Sequence, residues 1–168
     1  MRTLSICIAA LLASMAAAQT EKVITWMAAL QPDKKDANVL HLYVRGEIAR
    51  GWHIYGMESS PDVPYPTSFV VKAPSLKLGK SAASEASLEY DGTVGKELPL
   101  FTDEVIFRTP ITLRKDKRPS DVTIEISYQA CDGQKCLRPT NDVVKYRLTW
   151  DAKKSVWTLV PEKKKVAK

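Results

Sequence analysis

Val122-Thr123-Ile124-Glu125-Ile126-Ser127-Tyr128-Gln129-Ala130 alternates without a break: Val122, Ile124, Ile126, Tyr128 and Ala130 fall on one side, Thr123, Glu125, Ser127 and Gln129 on the other. Side chains along a strand point to its two faces in turn, so this is a strand with one face buried. The same pattern recurs outward from it. In Asn38 to Ile48, Leu40, Leu42, Val44 and Ile48 oppose His41, Tyr43, Arg45 and Glu47. In Glu104 to Leu113, Val105, Phe107, Thr109, Ile111 and Leu113 share a face, and Tyr146, Leu148 and Trp150 do so in Lys145 to Trp150. Val23 to Ala29 and Ser68 to Lys72 read as further strands. No window beyond the first residues sustains a helical period.

Turn-forming clusters separate these runs: Gln31-Pro32-Asp33, Ser60-Pro61-Asp62, Pro64-Tyr65-Pro66, Ala73-Pro74-Ser75, Asp91-Gly92 and Arg118-Pro119-Ser120-Asp121. Many short strands with polar connections predict an all-β, immunoglobulin-like two-sheet β-sandwich. Trp52 to Phe101 is the least regular stretch and is expected to hold inserted loops and short strands. Trp26, Trp150 and Trp157 read as core or edge packing, with a loosely held end beyond Trp157.

The chain opens Met1-Arg2-Thr3, then an apolar run from Leu4 to Leu12, then Ala16-Ala17-Ala18-Gln19. A cationic start, a short apolar segment and a small-residue site make an export signal over residues 1–18, cut after Ala18. The run is too short to span a bilayer, and no later segment is longer, so no integral membrane segment is expected after cleavage. The expected organisation is a signal at 1–18, one sandwich domain at 19–160 and a basic tail at 161–168. About 150 residues suffice for a hydrophobic core that needs no disulfide. The net charge of +6 sits largely in the Lys163-Lys164-Lys165 and Lys168 tail. No basic stripe with interleaved aromatics is present, so no nucleic-acid partner is expected.

Cys7 lies in the leader, so the exported chain carries two cysteines, Cys131 and Cys136. They follow the opening strand on a connection at a sheet end. Asp132-Gly133 can turn the chain and bring the sulfurs within disulfide range, with Cα atoms about 4.4–6.8 Å apart. Three readings stay open from the residues alone. A structural staple is common in exported chains, although a loop this short gains little from closure. A four-ligand zinc site would need two more donors, and only His41 and His53 exist; a soft two-thiolate copper site would want methionine or histidine nearby. A disulfide in a tight accessible loop suits thiol–disulfide exchange, which needs no metal or organic cofactor.

Tyr128-Gln129-Ala130-Cys131, a four-residue gap, Cys136 and Pro139 resemble the cysteine segment of the N-terminal periplasmic domain of the DsbD thiol:disulfide interchange family. Gly51-Trp52-His53-Ile54-Tyr55 resembles the segment that packs beside those cysteines. Glu89-Tyr90-Asp91-Gly92, with Phe101-Thr102-Asp103 and Pro110-Ile111-Thr112-Leu113 after it, resembles the cap-loop region and the next strand. The resemblance runs from about Val23 to Leu148. It implies an immunoglobulin-like sandwich whose inserted part carries the cysteines. It also implies a periplasmic thiol:disulfide oxidoreductase module, working between thioredoxin-like redox proteins with a membrane electron-transfer partner supplied by another chain. Cys136 would form the mixed disulfides and Cys131 would resolve them. His53 and Tyr55 would flank the site, Glu89 would be its acidic residue and Tyr90 its aromatic cap. A non-catalytic binding module with a structural disulfide is the alternative function.

Overall fold

The computed structural model describes residues 22–162. The expected export signal and most of the basic tail lie outside the described residues. Thirteen strands follow in chain order: β1 (Ile24–Pro32), β2 (Val39–Ile48), β3 (His53–Tyr55), β4 (Ser68–Lys72), β5 (Lys77–Leu78), β6 (Ala82–Ala83), β7 (Ser87–Asp91), β8 (Lys96–Thr102), β9 (Glu104–Thr112), β10 (Ser120–Tyr128), β11 (Ala130–Cys131), β12 (Thr140–Asp151) and β13 (Val156–Pro161). Among the described residues there is no helix.

Two antiparallel sheets make the sandwich. One runs β1-β2-β9-β5, with β6 also on β9; the other runs β13-β12-β10-β4. The alternating residues meet between them. Leu42, Val44, Val105, Phe107 and Ile111 of the first sheet face Val122, Ile124, Ile126 and Leu148 of the second, all almost fully buried. Phe69 of β4 stacks on Phe107 across the gap, ring centroids 4.3 Å apart. Burying such side chains contributes roughly 1.5–3 kcal/mol each, so the alternation accounts for the pairing of the sheets.

A third, smaller sheet, β11-β3-β8-β7, holds much of the irregular stretch between Trp52 and Phe101. Its strands are too short to carry a readable period. They are ordered by long-range pairing: His53 with Thr102, Ile54 with Phe101 and Tyr55 with Leu100 on one side, and Cys131 with His53 on the other. The C-terminal segment also differs from expectation. Val156–Pro161 is not loosely held but pairs with β12 over six residues, and Trp157 packs edge-on against Trp150 at 5.7 Å.

Trp26 joins the two sheets at one edge. Its ring lies against Phe107 and Tyr128, and its indole N–H donates to Asp142 Oδ2 at 2.9 Å, which also accepts from the Tyr128 hydroxyl. Gly46 is its register partner on β2, and a Cβ there would stand 2.3 Å from the Trp26 ring. The ring is held at its far end by Asp142 and cannot swing aside. Gly46→Ala should therefore lower stability by about 1–3 kcal/mol through overpacking, read as a lower urea midpoint. An unchanged midpoint would mean that the Trp26 ring is free to move.

Candidate functional site

The site grows from one turn. β10 delivers the chain to Ala130-Cys131, and Asp132-Gly133-Gln134-Lys135 reverses it. Gly133 has φ +81°, the left-handed region that glycine enters without steric cost. The Asp132 carboxylate accepts from the Gln134 and Lys135 amides, and these contacts, the Lys135 one first, hold its pKa below the usual range. Backbone bonds from Asp132 N to Lys135 O and from Leu137 N to Ala130 O close the hairpin. Cys131 and Cys136 form the bridge pair between those bonds and are joined as a disulfide. Their Cα atoms are 4.1 Å apart, just below the expected range of about 4.4–6.8 Å; they are directly opposed residues not bonded to each other, the closer of the two kinds of antiparallel pair. The two cysteine residues differ in burial: Cys131 is fully buried and Cys136 only partly.

The third sheet separates this pair from the main core. Ile54, Phe101 and Ala130 point into the sandwich. Their neighbours Tyr55, Leu98, Leu100 and Cys131 point the other way, into a second cluster with Val63, against which Val94 and Cys136 pack. By register, His53, Thr102 and Glu89 share that second face.

A buried carboxylate organises it. Asp91, at the end of β7, is fully buried. Its Oδ2 accepts from the Tyr55 hydroxyl at 2.7 Å, and its Oδ1 accepts from the Thr93 and Val94 amides. Burial pushes the Asp91 carboxyl up, but the Tyr55 bond, the two amides and nearby His53 outweigh it and hold the group below the usual range. Burial, and then Asp91, push the Tyr55 hydroxyl well above its ordinary value, so it stays protonated. The same hydroxyl lies 3.4 Å from Cys131 Sγ. His53 Nε2 stands 3.5 Å from Asp91 Oδ2, buried and without a hydrogen-bond partner among the described residues.

The hairpin turn between β7 and β8 reaches the cysteine hairpin. A Cβ on Gly92 would meet the Gly133 carbonyl oxygen at 2.6 Å, so only glycine lets the two turns touch. Of the expected residues, His53 and Tyr55 lie beside Cys131. Glu89 is on the same face and accepts a bond from the Thr102 hydroxyl. Tyr90 is one residue out of phase. It stands on the opposite face of the third sheet, 69% exposed, and the chain that meets the cysteine hairpin is the turn that follows it. Asp91 was legible only as half of an Asp-Gly turn, and Val94 carried no signal. Trp52 also supports the hairpin, with Lys135 Nζ 5.5 Å above its ring. His41 lies apart on β2 and pairs with Asp33.

The depressed Asp91 pKa carries a sign. A carboxyl bound more tightly as an anion in the folded state stabilises the fold above its unfolded pKa of about 3.9, and that contribution is lost as pH falls through the lower folded value. Asp91→Asn should therefore be less stable than the natural chain near neutral pH, by about 1.5–3 kcal/mol for a bond to a buried charge. The gap should close in acid. Urea midpoints measured from pH 7 down to pH 2 test this; a gap constant across the range would remove the charge from the account.

The family described as thiol:disulfide interchange protein DsbD, N-terminal, matches residues 20–148. No curated protein sequence gives a significant match. Among solved structures, the reduced DsbD N-terminal domain of Neisseria meningitidis is similar at 18% identity, with a TM-score of 0.51, over 84% of this chain and 93% of that one. The complex between the DsbD and PilB N-terminal domains of the same organism gives 18% identity and a TM-score of 0.50 over 77% and 87%. The N-terminal periplasmic domain of ScsB from Proteus mirabilis gives 10% identity and 0.50 over 73% and 45%. At these identities the structures speak for the fold alone, an immunoglobulin-like sandwich, while the family match over residues 20–148 includes both cysteines, Tyr55 and Asp91. The chain belongs to the family of DsbD N-terminal domains.

Proposed function

We propose that this chain is an exported thiol–disulfide exchange module that passes electrons between a thioredoxin-like donor and disulfide-bonded acceptor proteins. The observation that carries the reading is the unequal pair: a partly exposed Cys136 bonded to a buried Cys131 whose sulfur lies beside the Tyr55 hydroxyl. Family membership supports it, as does the similarity to a domain solved in complex with a second protein domain.

The exchange balances in two steps. With the pair reduced, the Cys136 thiolate attacks a partner disulfide. One partner sulfur leaves as a thiolate and takes up a proton from solvent, while a mixed disulfide forms at Cys136. Cys131 then loses its proton and its thiolate attacks the Cys136 sulfur. That reforms the Cys131–Cys136 bond and releases the second partner sulfur, so two electrons have moved to the partner. A reduced donor returns the pair to dithiols by the same steps reversed. In that direction Cys131 leaves as a buried thiolate beside the Tyr55 hydroxyl, whose single proton is given to Asp91. The Asp91 charge behind Tyr55 opposes a lasting thiolate there, which favours return of a proton to the sulfur. His53, Glu89 and the Gly92–Gly95 turn complete the wall around the sulfurs, and Tyr90 is left as an outward residue of the same hairpin. The periplasm is the compartment in which this chemistry fits the expected export signal.

Cys131→Ala should accumulate a mixed disulfide with a thioredoxin-like protein that lacks its own resolving cysteine, whereas Cys136→Ala should form little. Non-reducing electrophoresis reads the difference, and equal trapping would exchange the two roles. The reduction potential of the natural pair should lie at roughly −120 to −270 mV. A value below about −300 mV would assign the bond to structure alone and favour a non-catalytic binding module.

A further inference from the structure

The pole opposite the cysteines holds a feature that exchange chemistry does not use. β10 is nine residues long and runs from that pole to the cysteine hairpin, so about 30 Å separate the two ends. There the sheets part, leaving an open-mouthed cavity of about 700 Å³, within the size range of small-molecule sites. Its apolar walls are Leu30, Leu40, Leu113, Trp150, Val156 and Trp157. Leu40 belongs to the main core, so the cavity runs inward between the sheets.

The rim is of one sign. Arg114, Lys115 and Lys117 line it, and no carboxylate does. Arg114 is neutralised by Asp116, which Arg118 also holds. Lys115 and Lys117 form no ion pair among the described residues; Lys117 Nζ instead sits 3.8 Å over the Trp150 ring. Lys117 and Ser155, on the two loops that flank the mouth, both have φ +52°, a left-handed backbone uncommon away from glycine. Such conformations persist where the surroundings impose them, and they collect at binding sites.

We propose that this mouth binds a free single-chain anionic amphiphile, a fatty-acid carboxylate in chemical class. The tail enters end-on between Trp150, Trp157 and Leu40, and the anionic head stays at the rim on Lys115 and Lys117. Charge complementarity selects this occupant: an uncharged or cationic amphiphile of equal length fills the same walls but gains nothing from, or is repelled by, the rim.

Sodium dodecanoate, kept below its micelle concentration, provides the test, with tryptophan emission and titration calorimetry as readouts. Saturable one-to-one binding is expected, with no saturable response to dodecyltrimethylammonium. The exposed double variant Lys115→Glu/Lys117→Glu should bind dodecanoate on the order of tenfold more weakly, a loss of about 1.4 kcal/mol. It should still trap a partner when combined with Cys131→Ala, because the cysteines lie at the other pole, and that control separates lost binding from lost folding. Three results would overturn the proposal: equal response to both amphiphiles, dodecanoate binding unchanged by charge reversal, or binding only to phosphatidylglycerol vesicles, which would make the pole a membrane-docking surface.

Discussion

The alternation His53-Ile54-Tyr55 in a three-residue strand is the constraint on which the site depends. Ile54 is locked into the sandwich core, so its neighbours must face the other way. One strand thus couples the packing of the domain to the chemistry of its sulfurs. Phe101 and Ala130 repeat the device on the flanking strands, and Cys131 inherits its position from Ala130 as directly as Tyr55 does from Ile54. The core therefore sets the position of the Tyr55 hydroxyl against Cys131 Sγ.

The Tyr55–Asp91 bond then fixes the remaining wall. A fully buried carboxylate is costly unless its oxygens are bonded, and here both are. The amides it uses belong to Thr93 and Val94, so satisfying the charge also shapes the turn that carries Gly92 against Gly133. One interaction accordingly neutralises a burial cost, keeps the Tyr55 hydroxyl protonated beside the buried sulfur and seats one hairpin on another. Cys136, only partly buried, lies at the edge of that arrangement.

The end opposite the sulfurs is rich in charge. It carries Lys34 and Lys35 in the β1–β2 turn, Lys115, Lys117 and Arg118 between β9 and β10, and Lys153 and Lys154 in the β12–β13 turn, with Asp33, Asp36, Asp116 and Asp151 on the same connections. Antiparallel topology brings those three connections to one end: the two hairpin turns follow the pairs Pro32 with Leu40 and Asp151 with Val156, and β9 leaves for β10 beside the first of them, where Thr112 pairs with Val39. The disulfide at one pole and the apolar mouth at the other are thus separated by the length of the sandwich.

The amino-acid sequence by itself determined the strands of the sandwich and the place of the disulfide. Both depend on local terms: a period of two that buries one face, seen in β2, β9 and β10, and a turn of four residues with an Asp-Gly start. It also marked His53 and Tyr55 through their resemblance to a family segment. Only the tertiary structure decided which side chains meet the sulfurs. In Ser87-Leu88-Glu89-Tyr90-Asp91 the resemblance put both Glu89 and Tyr90 at the site, yet β7 is an edge strand lying beyond the sandwich, and its alternation turns Leu88 and Tyr90 to solvent and the acidic residues to the site. The C-terminal strand was hidden for a related reason: Val156 to Pro161 is bonded on one edge only and has no strongly buried face, so its pattern is weak until β12 supplies the pairing. Tyr55 and Asp91 are 36 residues apart, and no local period can report a bond whose geometry is set by the register of β3 and β7 on the strand between them, β8.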